Sequence, residues 1–347
     1  MARRILFAIR SKLGDTLIAW QCVRAYADRH PEDSVTLLTR RDYARLFAAE
    51  PGMRVIGFGS RAGMLARLAT MRLTECGFDI LAVLWGSGPP IRRIGQMVRA
   101  RRKIAWSARF APDIFEAATL PADHQLVDPA ACTIRVFEPG FAAPTRLRIG
   151  TLAALRRGAT RAGAIGVVPI ADEARRNLDA PTLEMLLAEA RRRHPGASVK
   201  VFVNPRNAGV AELMRMPLPS DCSFAPFHDL AGLVGEYAGL AAWLGTDTGL
   251  YHLAVAMDIP ATVFFGPTQP HKIIMPGQVN ASVQRLAGLG DRHCEEKGCT
   301  RPLCLHANIA AWCGRDTQTR LDETPPACPL RSLPATALRE VADLGPR

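Results

Sequence analysis

Short apolar runs alternate with amphipathic stretches along the first hundred residues. Ile5–Ile9, Val35–Leu38 and Ile80–Trp85 have the continuous apolar character of buried strands. Gly14–Arg29, between the first two runs, repeats its apolar side chains at helical spacing. Strands that alternate with helices in this way predict a parallel, doubly wound α/β sheet.

The same alternation restarts after residue 160 and predicts a second sheet of the same kind. The strand-like runs are Ala164–Ile170, Ser198–Val203, Leu240–Leu244 and Ala261–Phe265. The helical stretches are Pro181–Arg193, His228–Tyr237 and Leu250 to about Met257. Two Rossmann-like halves of this kind are expected to face each other across a cleft, with ligands at the carboxyl ends of both sheets.

Breaks in the pattern divide the chain into four parts. Pro139–Pro144 interrupts the first alternation, and we place a domain boundary near residue 155, in the basic segment that follows. Residues 288–332 show no periodicity, and Pro334–Asp343 has the pattern of a closing helix. The predicted parts are a first Rossmann-like domain at 1–155, a second at 156–287, a cysteine-rich segment at 288–332, and a helix with a tail at 333–347.

The chain carries a large positive charge. Its 347 residues include 44 Lys and Arg against 32 Asp and Glu, a formal charge of +12. Such a surplus favours nucleotides, nucleic acid or an acidic membrane surface as partners, although a general compositional habit explains the total equally well. No apolar run approaches the ~18–20 residues of a membrane-spanning helix, and Arg10 and Lys12 interrupt the first apolar stretch too early for a signal peptide. We therefore expect a cytoplasmic protein, with peripheral membrane contact through its basic helices left open.

Nine cysteines are distributed unevenly along the chain. Four lie among apolar neighbours and are typical of small buried side chains: Cys22, Cys76, Cys132 and Cys222. Five fall in the last sixth of the chain: Cys294, Cys299, Cys304, Cys313 and Cys328. In a cytosolic protein such a cluster favours a metal over disulfides, and four thiolates make a closed tetrahedral site for zinc or iron.

The first predicted strand runs into the motif RSKLGD, and a helix begins at once. Asp15 is therefore expected at the mouth of the cleft, where a carboxylate takes a proton from a hydroxyl nucleophile. The helix N-terminus favours the ionised form of such an acid, and an ordinary N-cap aspartate is the alternative. The glycine pattern G-x-G-x-x-G is absent, which argues against a nicotinamide enzyme.

A second candidate site follows the third predicted strand of the second half. The motif GTDTG opens a helix there, so backbone N–H groups and the positive helix end favour a phosphate or diphosphate. Thr246, Thr248 and Gly249 are the expected donors. Asp247 is expected to cap the helix and orient the loop. His252, one turn into the helix, is placed to contact a nucleotide phosphate or a sugar, with a buried structural histidine as the alternative.

A third candidate is the loop after the first strand of the second half. Arg175 and Arg176 are placed to meet a diphosphate from the other side of the cleft. A solvated basic loop explains either arginine equally well.

Together these motifs resemble the heptosyltransferase family of bacterial glycosyltransferases (glycosyltransferase family 9), which are GT-B enzymes with two Rossmann-like domains. The likeness rests on ILFAIRSKLGD at 5–15 and GTDTGLYHLAVAMDIPATVFFGPTQP at 245–270, and it spans nearly the whole chain. It implies that Asp15 is the catalytic base and that Arg176 contacts the donor diphosphate. The implied donor-binding segment contains Asp247, Thr248, Gly249 and His252. The implied reaction is a direct, metal-independent, inverting transfer from ADP-heptose.

Two features depart from the lipopolysaccharide-core members of this family. Those members carry two small hydroxyl residues shortly before the basic residue, where this chain has Ala171-Asp172. An acid sits poorly beside a diphosphate, so either the loop is arranged differently or the donor is bound another way. The cysteine-rich tail is similar to the autotransporter heptosyltransferase branch, whose members carry a four-cysteine iron site and glycosylate hydroxyl side chains of surface adhesins.

That likeness implies the close pair Cys294 and Cys299 with the distant Cys313 and Cys328 as metal ligands. Iron is favoured by the resemblance, and zinc is the physical alternative. A fully thiolate-bound metal leaves no open position for substrate, so the site is expected to be structural. Cys304 has the surroundings of a packed apolar residue and stays the alternative ligand.

We therefore expect ADP-heptose as donor and the hydroxyl side chains of an autotransporter adhesin as acceptor, with a lipopolysaccharide core as the alternative acceptor. A nucleic-acid-binding protein with a zinc-ribbon-like tail is disfavoured, because aromatic residues that stack on bases are scarce at 6% and the basic residues are dispersed. Homo-oligomerisation is left open.

Overall fold

The computed structural model describes residues 2–74, 77–107, 111–159, 163–173, 176–207, 209–266, 268–286, 303–314 and 341–343. The chain divides into two units. The first comprises Met1–Leu152 and Lys272–Met275, and the second comprises Ala153–His271 and Pro276–Arg347. Each unit is built on a β-sheet of its own.

The first unit alternates strands and helices, as its apolar pattern predicts. Its strands are β1 (Arg4–Ile9), β2 (Ser34–Arg40), β3 (Met53–Phe58), β4 (Phe78–Trp85), β5 (Ala100–Ala105) and β6 (Glu116–Ala117). The helices of this part of the chain are α1 (Leu13–Arg29), α2 (Arg41–Phe47), α3 (Arg61–Thr74), α4 (Pro89–Met97), α5 (Asp128–Arg135) and α6 (Gly150–Gly158).

The sheet of the first unit has the order β3-β2-β1-β4-β5-β6, and all its strand pairs are parallel. The strand order reverses between β1 and β4, so the loops that follow these two strands flank a switch point, where doubly wound sheets bind ligands. The sequence motif that ends in Asp15 leaves β1 at this switch point.

The rest of the chain repeats the pattern. Its strands are β7 (Ala164–Val168), β8 (Val199–Val203), β9 (Cys222–Pro226), β10 (Leu240–Thr246), β11 (Ala261–Phe264), β12 (Ala281–Leu286) and β13 (Val341–Asp343). Its helices are α7 (Ala180–Arg193), α8 (Val210–Leu213), α9 (Leu230–Ala238), α10 (Gly249–Ala256), α11 (Pro270–Ile273) and α12 (Leu303–Trp312).

The sheet of the second unit has the order β13-β12-β11-β10-β7-β8-β9, with every pair parallel except β12 with β13. Its switch point lies between β7 and β10. The loop after β7 contains Arg176, and the loop after β10 contains Asp247 and Thr248. The predicted two-sheet α/β architecture is therefore confirmed, and two candidate motifs follow adjacent strands.

Small differences in strand length have local causes. The strand predicted over Ala164–Ile170 ends at Val168 because Pro169, which has no N–H, follows. The strand predicted to end at Leu244 continues to Thr246, whose pairing partner is Phe264. Gly245 permits this continuation, since a Cβ at this position would lie 2.7 Å from the carbonyl oxygen of Val168 on β7.

The expectation that residues 288–332 lack regular structure is wrong for α12. All described side chains from Cys304 to Ala311 are buried, and Leu305 and Ile309 belong to the same core as helix α7. A helix that is buried on every side has no polar face, so it shows no amphipathic period in the sequence.

The helix predicted over Pro334–Asp343 is also wrong where the structure describes it. Val341–Asp343 forms strand β13, which pairs antiparallel with Leu286, Arg285 and Gln284 of β12. The edge of β12 supplies backbone hydrogen bonds that three residues of this composition cannot obtain from a single helical turn. Residues 334–340 lie outside the described chain.

Among the described residues, no helix combines the length and the apolar character that crossing a membrane requires.

Candidate functional site

The loop between β10 and α10 is capped by a threonine. Thr248 is extended, with φ −142° and ψ 165°, and its Oγ1 accepts hydrogen bonds from the N–H groups of Leu250 at 3.1 Å and Tyr251 at 3.4 Å. The prediction that Asp247 caps this helix is therefore wrong. The cap satisfies two N–H groups at the helix N-terminus and leaves the Thr248 O–H hydrogen to donate.

Asp247 instead pairs with Arg176. Nη1 of Arg176 donates to the Oδ2 and to the backbone carbonyl oxygen of Asp247, both at 3.1 Å, and Nη2 donates to Glu173 at 2.6 Å. The side chain of Asp247 is 5% exposed, that of Arg176 is 19% and that of Glu173 is 36%. Burial acts to lower the pKa of the Arg176 guanidinium, but the charges of Asp247 and Glu173 outweigh burial and raise it. This ion pair joins the two loops at the switch point of the second sheet.

His252 lies one turn into α10 and is buried. Burial, followed by the positive charge of Arg176, lowers its pKa from 6.5 to about 3. Its ring stands edge-on to Tyr251, with 5.0 Å between the ring centroids. His252 is therefore neutral near pH 7, so it can share a hydrogen bond with a ligand but cannot neutralise a phosphate.

Two buried threonine hydroxyls mark the carboxyl ends of the central strands. Thr246 is the last residue of β10, and Thr268 lies shortly after β11. Within the described part of the chain, neither Oγ1 atom has a hydrogen-bond partner. Both side chains are almost fully buried. Buried hydroxyls without partners are unusual in folded proteins, and a polar ligand is one way to satisfy them. Sequence reasoning missed Thr268, although its place after β11 was a usable signal.

In the loop after β7, Ala171 is directed into the protein and Asp172 towards solvent. Ala171 is buried, and its N–H donates to Oδ1 of Asn177 at 2.7 Å. Asp172 is exposed. The loop is thus closed by a side-chain to backbone hydrogen bond that the sequence did not reveal. Arg175 lies outside the described residues.

Asp15 of the first unit lies in the first turn of α1. Lys12 is the N-cap residue and makes no side-chain cap, so the alternative interpretation of Asp15 as a plain N-cap is wrong. The hydroxyl of Ser11 donates a hydrogen bond to Oδ2 of Asp15. Ser11 is a partner that the sequence interpretation did not identify, and it fixes the orientation of the carboxylate at the switch point.

A basic pocket of about 360 Å³ lies at the same edge of the first sheet. It lies at the carboxyl ends of β1, β2 and β3 and includes Ser11, the partner of Asp15. Four cationic side chains line it: Arg10, Lys12, Arg40 and Arg61. Within the described chain its lining contains no carboxylate. Arg40 and Arg61 were not singled out from the sequence, although a basic residue after each of three neighbouring parallel strands was a detectable signal.

Other arginines form surface ion pairs with carboxylates. Arg92 makes a bidentate pair with Asp113, at 2.8 and 2.7 Å. Arg192 and Arg193 both pair with Glu189 on α7. These clusters have the geometry of solvated helix faces.

One of the four predicted metal ligands lies in the described chain. Cys313 follows α12, is partly buried, and its Sγ lies 3.7 Å from the carbonyl oxygen of Met185. Cys304 is buried against Gly266, as a packed apolar residue would be. The predicted ligands Cys294, Cys299 and Cys328 lie outside the described residues. Of the scattered cysteines, Cys22, Cys132 and Cys222 are buried, as expected, and Cys76 lies outside the description.

Residues 187–304 match the family described as glycosyltransferase family 9 (heptosyltransferase). Lipopolysaccharide heptosyltransferase 1 of Pseudomonas aeruginosa is 49% identical over 45 residues, which is 13% of this chain and 13% of the length of that relative. The matched family region contains the loop after β10 and helix α10.

Solved structures resemble the chain over most of its length. Escherichia coli heptosyltransferase WaaC, solved with ADP, has a TM-score of 0.65 at 19% identity, over 81% of this chain and 92% of that one. The iron-containing dodecameric glycosyltransferase TibC from enterotoxigenic E. coli has a TM-score of 0.51 at 13% identity, over 78% of this chain and 60% of that one. Residues 187–304 are therefore similar to glycosyltransferase family 9 (heptosyltransferase), and the chain shares the two-sheet fold of these solved heptosyltransferases.

Proposed function

We propose that this protein transfers heptose from ADP-heptose to an acceptor hydroxyl, with inversion at the anomeric carbon. The observation that carries the proposal is the Arg176–Asp247 pair, which joins two loops at the switch point of the second sheet. Doubly wound sheets bind nucleotides at that point. The family 9 region begins in α7, shortly after Arg176, and includes Asp247. A relative of the same fold was solved with ADP.

Arg176 is the residue that we assign to the diphosphate. Its Nη1 donates to the buried carboxylate of Asp247, and its Nη2 donates to the more exposed carboxylate of Glu173. A diphosphate bears more negative charge than one carboxylate and matches the guanidinium fork, so it can replace Glu173. Asp247 then stays as the buried partner that orients the guanidinium.

The remaining donor contacts are hydrogen bonds. Thr248 offers its O–H hydrogen, Thr246 offers a buried hydroxyl, and Gly249 begins the helix whose positive end favours an anion. His252, held neutral by burial, acts as a hydrogen-bonding group for the nucleotide or the sugar.

Asp15 is the residue that we assign as catalytic base. The acceptor hydroxyl oxygen forms a bond to the anomeric carbon while ADP departs with the electron pair of the broken bond, and Asp15 takes the hydroxyl proton. Ser11 holds the carboxylate in one orientation. The N-terminal turn of α1 favours the ionised form that a base requires.

The basic pocket favours an anionic acceptor. Four cationic side chains converge next to Ser11, and a phosphorylated or carboxylated saccharide such as a lipopolysaccharide core complements them. Hydroxyl side chains of an adhesin, the acceptor expected from the sequence, carry no charge of their own. The protein acceptor stays as the second candidate, supported by the C-terminal cysteines and by the fold shared with TibC.

Mass spectrometry after parallel reactions distinguishes the two acceptors. Purified protein and ADP-heptose are incubated with truncated lipopolysaccharide or with an unmodified adhesin. A heptose added to the lipopolysaccharide alone supports the anionic acceptor. Heptose on Ser or Thr of the adhesin alone replaces it with the protein acceptor, and transfer to neither contradicts the proposed activity.

We also propose a structural metal on Cys294, Cys299, Cys313 and Cys328, with iron favoured and zinc as the alternative. Cys313 is partly buried at the end of a packed helix, a fixed position that suits a ligand. Assembly into a homo-oligomer belongs to the same proposal, because TibC, which shares the fold, is described as iron-containing and dodecameric.

A further inference from the structure

Helix α12 is fixed to the carboxyl edge of the second sheet. Nδ2 of Asn308 donates to the carbonyl oxygens of Phe265 at 2.9 Å and Gln284 at 2.8 Å. A Cβ at Gly266 would lie only 3.0 Å from Cβ of Leu305, so helix and sheet approach as closely as a glycine allows. The helix therefore has a defined position relative to the loops at this edge.

His306 projects from α12 to the loop that contains Arg176. It is 3% exposed, and its Nε2 lies 3.1 Å from the carbonyl oxygen of Asn177. A carbonyl oxygen only accepts hydrogen bonds, so Nε2 carries the proton of this contact. Nδ1 lies 3.5 Å from Oδ2 of Asp179.

The same loop is tied at both ends. The N–H of Leu178 donates to the carbonyl oxygen of Pro169 at 2.8 Å, and the side chain of Asn177 accepts from Ala171. Asp179 caps α7 by accepting from the N–H of Thr182 at 3.0 Å. His306 thus contacts the carbonyl group of the residue that directly follows Arg176, and it faces Asp179, the cap residue that ends the loop.

We infer that His306 is a positioning residue for donor binding: it fixes the Asn177 peptide and thereby presents the Arg176 guanidinium to a nucleoside diphosphate. This inference rests on the proposed function, since it assigns the diphosphate to Arg176. A loop fixed before the ligand arrives loses less conformational freedom on binding, so a missing anchor weakens affinity without removing a ligand contact.

Two substitutions separate the hydrogen bond from packing. His306→Gln places an amide N–H near the position of Nε2 and retains the donor, whereas His306→Leu keeps a buried side chain without it. We expect His306→Leu to bind ADP about 5- to 10-fold more weakly by calorimetry, the effect of one buried hydrogen bond. His306→Gln should stay within about twofold of wild type by the same reasoning. His194→Leu, at the far end of α7, is the control for losing a histidine.

Hydrogen exchange provides a readout that needs no ligand. Backbone amides of residues 176–183 should exchange faster in His306→Leu than in wild type or His306→Gln. In an Arg176→Ala background, His306→Leu should cause no further loss of ADP affinity, because the two residues act in series. If His306→Leu does not fold, His306→Met replaces it as the donor-less variant.

Three results would overturn the inference: equal loss of affinity in the Leu and Gln variants, unchanged affinity in a folded His306→Leu protein, or additive effects with Arg176→Ala. A wild-type protein that fails to bind ADP contradicts the proposed function instead. In that case unchanged amide exchange in His306→Leu still refutes the positioning role.

Discussion

Arg176 donates from one nitrogen to both the carboxylate and the backbone carbonyl oxygen of Asp247, at 3.1 Å each. The two residues are 71 positions apart in the chain and follow neighbouring strands, β7 and β10. The contact fixes the loop that starts α10 against the loop that leads to α7. A guanidinium held in this way keeps a fixed orientation, so the nitrogen that donates to the more exposed Glu173 is the one that we propose for a diphosphate.

Replacing Thr248 with Val should weaken both the helix cap and donor binding. The substitution keeps the shape but removes the oxygen that accepts from Leu250 and Tyr251, so the free energy of unfolding should fall by about 0.5–2 kcal/mol. The rise in melting temperature that ADP-heptose produces by mass action should also be smaller than in wild type. Urea unfolding measures the first effect, and differential scanning fluorimetry without and with ADP-heptose measures the second.

Thr70→Val is the matched control for Thr248→Val, because Thr70 lies exposed on α3 and its hydroxyl donates to the carbonyl oxygen of Ala66, one turn earlier in the same helix. UDP- and GDP-linked sugars should stabilise the wild-type protein less than ADP-heptose does. An undiminished ADP-heptose shift in Thr248→Val, or equal shifts with all three nucleotides, would contradict the donor assignment.

Asp15→Asn should abolish most of the transfer while leaving donor binding unchanged. The amide can still accept from Ser11 but cannot take a proton, so kcat should fall by about 10²–10⁴-fold, the usual contribution of a positioned base. Ser11→Ala should lower kcat by less, because it loses only the orientation of the base. Turnover and ADP affinity are measured on the same preparations, and near wild-type turnover in Asp15→Asn would place the base elsewhere.

Reversing one charge in the basic pocket should impair recognition of an anionic acceptor. Arg61→Glu changes a pocket residue, whereas Arg72→Glu changes an exposed arginine on the same helix, outside the pocket. We expect Arg61→Glu to raise the acceptor KM by at least about fivefold and to weaken its dependence on salt. Arg72→Glu should change neither quantity. Identical KM values for the two variants would rule out an electrostatic role for the pocket.

The buried His252 should make the protein less stable as the pH falls. The unfolded histidine binds a proton near its ordinary pKa of 6.5, whereas the folded one stays neutral down to about pH 3. The unfolded state therefore gains protons first, and the free energy of unfolding should fall by about 2 kcal/mol between pH 7 and pH 5 from this residue. Urea unfolding of wild type and His252→Gln at several pH values tests this, because the free energy of unfolding of the variant should depend less on pH. An equal dependence on pH in the two proteins would show that His252 titrates normally.

Purified protein should contain one equivalent of metal, which elemental analysis measures directly. Cys313→Ser should lose the metal because a tetrahedral thiolate site needs all four ligands, whereas Cys304→Ala should retain it. Less than about half an equivalent in wild type, or full occupancy in Cys313→Ser, would show that the assignment is wrong.

The sequence by itself determined the two α/β units and the position of the candidate motifs. Buried parallel strands are continuous apolar runs, and the helices between them have one apolar face. Both patterns involve only neighbouring residues, so they can be recognised in the sequence. Because ligands bind at the carboxyl ends of such strands, the motifs after β1, β7 and β10 could be selected before any contact was known.

Only the tertiary structure decided what those side chains contact. Thr248 rather than Asp247 caps α10, because Asp247 is occupied by Arg176 from a loop 71 residues away. Helix α12 and strand β13 were missed for a related reason. A helix buried on all sides has no amphipathic period, and a three-residue strand exists only because the edge of β12 accepts it. These features depend on partners distant in sequence, and no local pattern encodes such a partner.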